Sequence, residues 1–295
     1  MQAGEADMDT EKARALLCAI EEGSLTAVSE RLGYTISGIS RMMASLEDET
    51  GFPLLVRSRS GVVPTAECRQ LLPLLKDIVM LADNYEQTAA DMRGLAQGSL
   101  TMGTSYYAYY DLFAKLIADF ESEYPGIDIE IKDGTSSEMV SALEEGLVDF
   151  CIISKRPGGH EWMPLFSDEL LACVPEGHPA AERKKFPVKR FAEDGFIEIY
   201  PGKETDNSRM LKERGIRPKV AYSTSDNFAA YSMVRAGLGV TCFNALLAEA
   251  FPDGVVYLPL DPPGMVEIGI ALPKGMRRSP AAERFASFVK KRFGG

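Results

Sequence analysis

The chain has 295 residues, 45% hydrophobic and 25% charged, an ordinary globular composition that suffices for about two domains and excludes a disordered chain. Acidic residues outnumber basic ones by 43 to 32, for a formal net charge of −11; whole-molecule attraction to nucleic acid or anionic lipid is thereby excluded, and any polyanion contact must be local. No apolar run approaches the roughly 18–20 residues of a bilayer span, and the acidic opening from Met1 to Asp9 is unlike a secretory signal, so a cytoplasmic protein without membrane contact is expected.

Three short helical patterns come first. Asp9 or Thr10 can cap a helix whose Ala13, Leu16, Leu17 and Ile20 share one face, and Gly23 ends it. Ser24 caps a second, Leu25 to Leu32, with Leu25, Val28 and Leu32 at i, i+3 and i+7. After the Gly33-Tyr34 turn, Thr35 caps a third that runs to about Thr50, with Ile39, Met42, Met43 and Leu46 as its buried stripe. Opposite lie Ser37, Ser40, Arg41 and Ala44, a face that is small, polar and basic. Small residues permit close approach, and a helix-turn-helix inserts the N-terminal part of its second helix into the DNA major groove, where Ser, Thr and Arg bond base edges and phosphates. The acidic run Glu47-Asp48-Glu49 falls at the far end, leaving the positive end of the helix dipole and Arg41 toward the duplex.

Leu54-Leu55-Val56-Arg57 and Gly61-Val62-Val63 are β-prone runs joined by Ser58-Arg59-Ser60, a hairpin that would set Arg57 and Arg59 against a phosphate backbone. From Thr65 to about Arg93 the apolar residues Leu71, Leu75, Ile78, Ala82, Tyr85, Ala89 and Met92 alternate at spacings of four and three, the pattern of a dimerising coiled coil over 65–93. Pro73 predicts a kink or a delayed start in that helix, and Gly94 to Gly98 reads as a hinge.

Beyond the hinge the pattern becomes strand, helix, strand. Apolar runs at Leu100–Met102, Ile127–Ile131, Val148–Ile153, Leu170–Val174, Phe196–Ile199, Val240–Phe243, Val255–Leu260 and Ile268–Ala271 alternate with helical stretches such as Leu112–Tyr124, Ser137–Glu145, Asn227–Ala236 and Ser279–Arg292. This predicts an α/β sandwich with parallel strands. Ligands of such sheets bind beyond the carboxyl ends of the strands, at helix N-termini. The loops that fall there are rich in hydroxyls: Thr104-Ser105, Thr135-Ser136-Ser137, Ser154 and Ser223-Thr224-Ser225, which together point to a polar cleft. Tyr106, Tyr107, Tyr109 and Tyr110 follow the first of these strands and offer apolar area with a hydroxyl, suited to a planar ligand or to packing.

Gly23-Ser24-Leu25-Thr26-Ala27, Leu32, the stretch from Thr35 to Ser40-Arg41, Leu46-Glu47 and Gly51-Phe52-Pro53-Leu54-Leu55-Val56-Arg57 closely resemble the winged helix-turn-helix signature of the LysR-type transcriptional regulators. The likeness continues through Tyr124-Pro125-Gly126-Ile127, Gly134-Thr135, Val174-Pro175, Tyr200-Pro201 and Gly237-Leu238-Gly239-Val240. It implies a DNA-binding domain over 1–64, a linker helix over 65–93, and an effector domain over 94–295 made of two α/β subdomains like a periplasmic binding protein. These would be about 99–166 with 264–295, and 167–263, joined by two crossover strands. It implies double-stranded operator DNA as partner, self-association as a dimer or a dimer of dimers, transcription machinery as a further partner, and a small organic effector between the subdomains. DNA contacts are then expected from Ser24, Thr35, Ile36, Ser37, Ser40, Arg41, Arg57 and Arg59. Effector contacts are expected from Thr104, Ser105, Tyr106, Thr135, Ser136, Ser154, Tyr200, Pro201, Ser225 and the loop after Tyr200-Pro201. Ile36 and Ser37 stand where the family often has Gln and Pro, and Ile36 offers only apolar contact, for instance to a thymine methyl. Pro64 and Cys68 replace a usual Leu and Gly where the wing meets the linker.

Helix N-termini and hydroxyls favour anions, so a carboxylate-bearing effector is expected. An enzyme is not: His160 and His178 lie in loops without a nucleophile context, and Gly237-Leu238-Gly239 is too short for a dinucleotide fingerprint. Cys18, Cys68, Cys151, Cys173 and Cys242 are scattered and read as small buried hydrophobes, so neither metal nor cofactor is expected. A solute-binding protein, or an effector-sensing module without direct transcriptional output, is the alternative the C-terminal two-thirds would allow. The charge divides unevenly: residues 1–23 carry −4, residues 24–65 balance to zero, and the remaining −7 lies beyond. The reading surface is thus spared the acidity, but with few cations its affinity for DNA should be modest and depend on dimerisation.

Overall fold

The computed structural model describes residues 9–58, 61–94, 96–105, 110–274 and 278–293. The chain forms two compact units, Met1–Gly94 and Leu95–Gly295. No helix among the described residues is long and apolar enough to cross a membrane.

The first unit contains α1 (Thr10–Glu22), α2 (Leu25–Leu32) and α3 (Ile36–Thr50), each stopped by a glycine in the left-handed conformation. Asp9, Ser24 and Thr35 supply the side-chain caps. Leu16, Val28, Ile39, Met43 and Leu46 are fully buried together. The wing, β1 (Leu55–Ser58) and β2 (Gly61–Pro64), pairs antiparallel with Val56 opposite Val63. It is sewn to the helices at two places. Val62 donates its backbone N–H to Gly23 O at 2.8 Å, an approach so close that a Cβ on Gly61 would lie 2.5 Å from that oxygen. At the other strand, Glu47 Oε1 accepts from the backbone N–H groups of Leu54 and Leu55 at 2.8 and 3.1 Å. Arg59 and Ser60, at the wing tip, lie outside the described residues.

Helix α4 (Ala66–Met92) starts under a Thr65 cap and runs through Pro73 without interruption. The expected delayed start does not occur; Cys68, Leu71, Leu72 and Leu75 pack on the helical core on both sides of the proline, and that burial offsets a cost of about 3 kcal/mol. The residues of the expected seam divide between two surroundings. Leu75 is buried against this unit's own core, with Leu71 and Val79 beside it, whereas the face left open carries Leu74, Leu81, Tyr85 and Met92, spaced seven, four and seven residues apart. A single apolar stripe in the sequence is in fact two adjoining faces, one spent internally.

The second unit is built on a mixed sheet, ordered β10-β6-β11-β5-β3-β4. Its strands are β3 (Gln97–Thr104), β4 (Gly126–Asp133), β5 (Phe150–Ser154), β6 (Glu161–Pro175), β10 (Thr241–Asn244) and β11 (Val255–Leu272), with the two-residue β7 (Phe186–Pro187) paired to β11. A smaller parallel pair is formed by β8 (Phe196–Ile199) and β9 (Val220–Thr224). The helices are α5 (Tyr110–Glu123), α6 (Ser136–Glu144), α7 (Asp206–Glu213), α8 (Asn227–Arg235), α9 (Ala245–Glu249) and α10 (Pro280–Phe293).

The sheet is not all parallel as expected. Strands β3, β4 and β5 are parallel, but β11 runs antiparallel to both β5 and β6, and β10 antiparallel to β6. The two long strands lie side by side over most of their length, with register shifts at Pro259/Gly264 and Ile268/Gly269. The separate apolar runs Val255–Leu260 and Ile268–Ala271 belong to one strand, because the chain stays extended through Asp261-Pro262-Pro263-Gly264. The expected hinge is narrowed as well: Gln97 and Gly98 already pair with Gly126 and Ile127. Tyr106, Tyr107 and Tyr109 lie outside the described residues.

Candidate functional site

Two surfaces carry the candidate chemistry, one in each unit. On α3 the cap sets the geometry: Thr35 Oγ1 accepts from Gly38 N at 3.0 Å and lies 3.1 Å from Ser37 Oγ. Ile36 is 52% exposed, Ser37 and Arg41 are exposed, and Ser40 is half-buried. Arg41 Nε donates to Ser37 O at 3.3 Å, and Arg57 Nη1 reaches from the wing to Ser40 Oγ at 3.2 Å. The structure therefore brings Thr35, Ile36, Ser37, Ser40, Arg41 and Arg57 onto one continuous patch. Ser24 is different, since its hydroxyl caps α2 by accepting from Ala27 N at 3.4 Å.

Three other cations of this unit are committed to carboxylates. Arg31 is held by Glu21 and Glu22 at 3.0 and 2.8 Å, which raises its pKa further, and Lys12 by Glu49. Arg14 bonds Asp83 on α4 at 3.0 Å. Among the described residues Arg41 and Arg57 have no carboxylate partner, so their charge is available to a phosphate.

In the second unit a cleft of about 760 Å³ opens where β3, β5 and β8 end and where α6, α7, α8 and α9 begin. Ser105, Thr135, Ser136, Tyr200 and Ser225 line it. Thr104, Ser154 and Pro201 do not. Thr104 is 1% exposed, the last residue of β3; Pro201 is turned to the surface; Ser154 is buried behind the lining, where it ties the floor together. Ser154 Oγ donates to Asp206 Oδ1 at 2.6 Å and lies 3.0 Å from Ser136 Oγ, which in turn is 2.8 Å from Ser105 Oγ. Tyr106 lies outside the described residues.

Among the lining residues that escape the reading of hydroxyl-rich loops are Arg156, Asp206, Asn207 and Asn244. The Arg156 side chain is only 3% exposed; its guanidinium bonds Ser154 Oγ, Ser137 Oγ at 3.3 Å and Asp206 Oδ1 at 3.0 Å. The signal in the sequence is a cation two residues beyond a strand-end serine and an acid inside Thr205-Asp206-Asn207-Ser208, an N-cap pattern that opens α7. Asn207 Nδ2 donates to Cys242 O at 2.7 Å, while Asn207 Oδ1 and Asn244 Nδ2 are buried without a hydrogen-bond partner. An apolar wall of Phe228, Phe243, Leu247 and Phe251 completes the cleft.

Tyr200 sits at positive φ (57°), a sparsely populated conformation for a non-glycine residue, held by its N–H on Thr224 O at 2.8 Å. Burial, and then the carboxylates of Asp226 and Asp133, push its phenol above the usual range. The five cysteines are buried and free, and desolvation pushes Cys151 and Cys173 up to about 12, so both are thiols at neutral pH.

Residues 10–69 match the model of the bacterial regulatory helix-turn-helix proteins of the lysR family, and residues 93–294 that of the LysR substrate binding domain. YvbU of Bacillus subtilis, an uncharacterized HTH-type transcriptional regulator, is 26% identical over 93% of this chain and 95% of its own length. A full-length OxyR variant from Pseudomonas aeruginosa superposes with a TM-score of 0.74 at 21% identity, covering 96% of this chain and 95% of that one. The effector-binding domain of QuiR in complex with shikimate superposes with a TM-score of 0.58 at 20% identity, covering 67% of this chain and 98% of that one. With both models matched in order and the second alone spanning more than half the sequence, the chain belongs to the LysR family of DNA-binding transcriptional regulators, with a helix-turn-helix followed by an effector-binding domain.

Proposed function

We propose that this regulator reads operator DNA in the cytoplasm through the patch of Thr35, Ile36, Ser37, Ser40, Arg41 and Arg57. A small organic effector, bound in the cleft and bearing a carboxylate, controls that reading. The protein acts as a dimer through the open face of α4, and as a dimer of dimers on paired half-sites. The cleft divides two subdomains, about 99–166 with 264–295 and 167–263. The observation that carries effector control is the Arg156–Asp206 pair: one partner follows β5 in the first subdomain, the other opens α7 in the second. A ligand that engages either partner changes what joins the halves, and so biases their arrangement.

A guanidinium in the lining supports an acidic ligand, as does QuiR's complex with shikimate, a carboxylate. A solute-binding protein has no use for a helix-turn-helix, and no feature of the cleft favours that reading. Footprinting on operator DNA with and without a bound ligand tests the account: an altered length or spacing of the protected region is expected. An identical footprint at saturating ligand would sink it.

A further inference from the structure

The charges around the cleft do not suit a simple acid. Its lining holds two cations, Arg156 and Lys203, against four carboxylates, Asp133, Glu204, Asp206 and Asp226. Each cation already holds a carboxylate: Lys203 lies 3.0 Å from Glu138, and Arg156 lies 3.0 Å from Asp206. The helix N-termini are answered in the same way, by Glu138 in the first turn of α6, by Asp206 in that of α7 and by Asp226 as the cap of α8. A ligand carrying only negative charge would enter a site of net negative charge and compete for engaged cations.

The unpartnered groups give the other half of the answer. Asn207 Oδ1 is an acceptor without a donor, and its orientation is fixed because Asn207 Nδ2 donates to Cys242 O at 2.7 Å. Asn244 Nδ2 is a donor without an acceptor; the residue stands at the N-cap of α9 but makes no capping bond. Cys242 and Asn244 lie two apart on β10, and Asn207 and Asn244 both line the cleft. A buried polar atom left unpaired costs free energy that a complementary ligand recovers. In the same lining Phe228, 59% exposed though second in its helix, lies 5.9 Å from Phe251 between ring centroids, an apolar surface left uncovered.

We propose that the effector is an amino acid with an apolar side chain: its ammonium donates to Asn207 Oδ1 within the acidic lining, its carboxylate accepts from Asn244 Nδ2 and Arg156, and its side chain covers Phe228 and Phe251. This deepens the reading of the cleft as the effector site and rests on it. An amphoteric ligand adds no net charge, so it keeps the carboxylate expected of the effector without the repulsion.

The full-length protein is titrated calorimetrically and by thermal shift with two matched sets: L-phenylalanine, 3-phenylpropionate and 2-phenylethylamine; and L-leucine, 4-methylpentanoate and 3-methylbutylamine. At least one amino acid is expected to raise Tm and to bind about tenfold or more tighter than both of its truncated forms. Asn244→Ala, which gives up no internal hydrogen bond, is expected to weaken that binding about tenfold and to leave the Tm of the unliganded protein unchanged. Equal binding of either truncated form, unchanged binding by Asn244→Ala, or no shift with any amino acid overturns the proposal. If only carboxylates without an amine bind and the operator footprint responds to them, the ligand class falls and effector control stands. If an amino acid binds as described but leaves the footprint unchanged, effector control falls and the ligand class stands.

Discussion

The reading patch on α3 and the cleft beneath α6 and α7 are both polar, but they are polar in opposite ways. On the patch, Ser37 and Arg41 are exposed and bonded only to near neighbours, and Arg41 and Arg57 have no carboxylate partner among the described residues. In the cleft, Ser105, Ser136, Ser154, Arg156 and Asp206 form one connected network in which each group satisfies the next. DNA can therefore bind the patch without breaking anything inside the protein. An effector that engages Arg156 must rearrange bonds already there, and in the function proposed above that cost couples its binding to a change of state.

The contrast is broken most severely at the cleft. Asp206→Asn leaves the buried guanidinium of Arg156 with the more distant, half-exposed Glu204 carboxylate at 3.8 Å in place of Asp206 at 3.0 Å, and the second unit should lose about 3 kcal/mol of stability, read from urea unfolding. A loss below about 1 kcal/mol would show that the network is loose. Next comes the open face of α4. Leu81→Glu removes an apolar contact twice in a symmetric dimer, weakening association by about 3 kcal/mol or more with the monomer's fold intact; sedimentation equilibrium measures it, and an unchanged dimer constant would locate the interface elsewhere.

Arg41→Ala should leave stability within about 0.5 kcal/mol and weaken specific DNA binding by about 1–3 kcal/mol. Arg57→Ala should weaken binding to all sequences alike and reduce the salt slope by about one. Retained operator affinity in Arg41→Ala would mean that another face enters the groove.

The smallest effect is a pH dependence. Burial is the main cause of a lowered pKa at His178, partly opposed by Asp194, and His178 Nδ1 accepts from Ala180 N at 3.1 Å, which requires that nitrogen unprotonated. The folded state thus binds its proton less readily than the unfolded chain, so stability should fall as pH drops below the ordinary value of 6.5. His178→Gln should flatten that slope between pH 7 and 5.5, and an unaltered slope would assign it to other groups.

The same contrast explains what is legible in the sequence. The patch comes from one short stretch, Thr35 to Arg41, and its caps and periodicity are local, so the residues can be read in order. Helix α6, capped at Thr135, and α8, at Asp226, are legible for the same reason. The cleft draws on ends of strands and helices far apart in the chain. Its hydroxyls stand out as loop clusters, but Arg156 and Asp206 are 50 residues apart and nothing local marks them as partners. The direction of β11 is hidden by its three prolines, and the two faces of α4 by sharing one heptad-like pattern; in each case long-range pairing, not local preference, decides the outcome.

Glu47 is also a mechanical part. By accepting both Leu54 and Leu55 N–H groups, its carboxylate fastens the wing to the reading helix, while Gly23 O holds the other strand. These bonds tie helix and wing into one tool. Whatever the effector changes at the DNA, it must do by moving that tool as a whole, in the way a stamp is lifted or tilted, and not by altering the figure engraved on it.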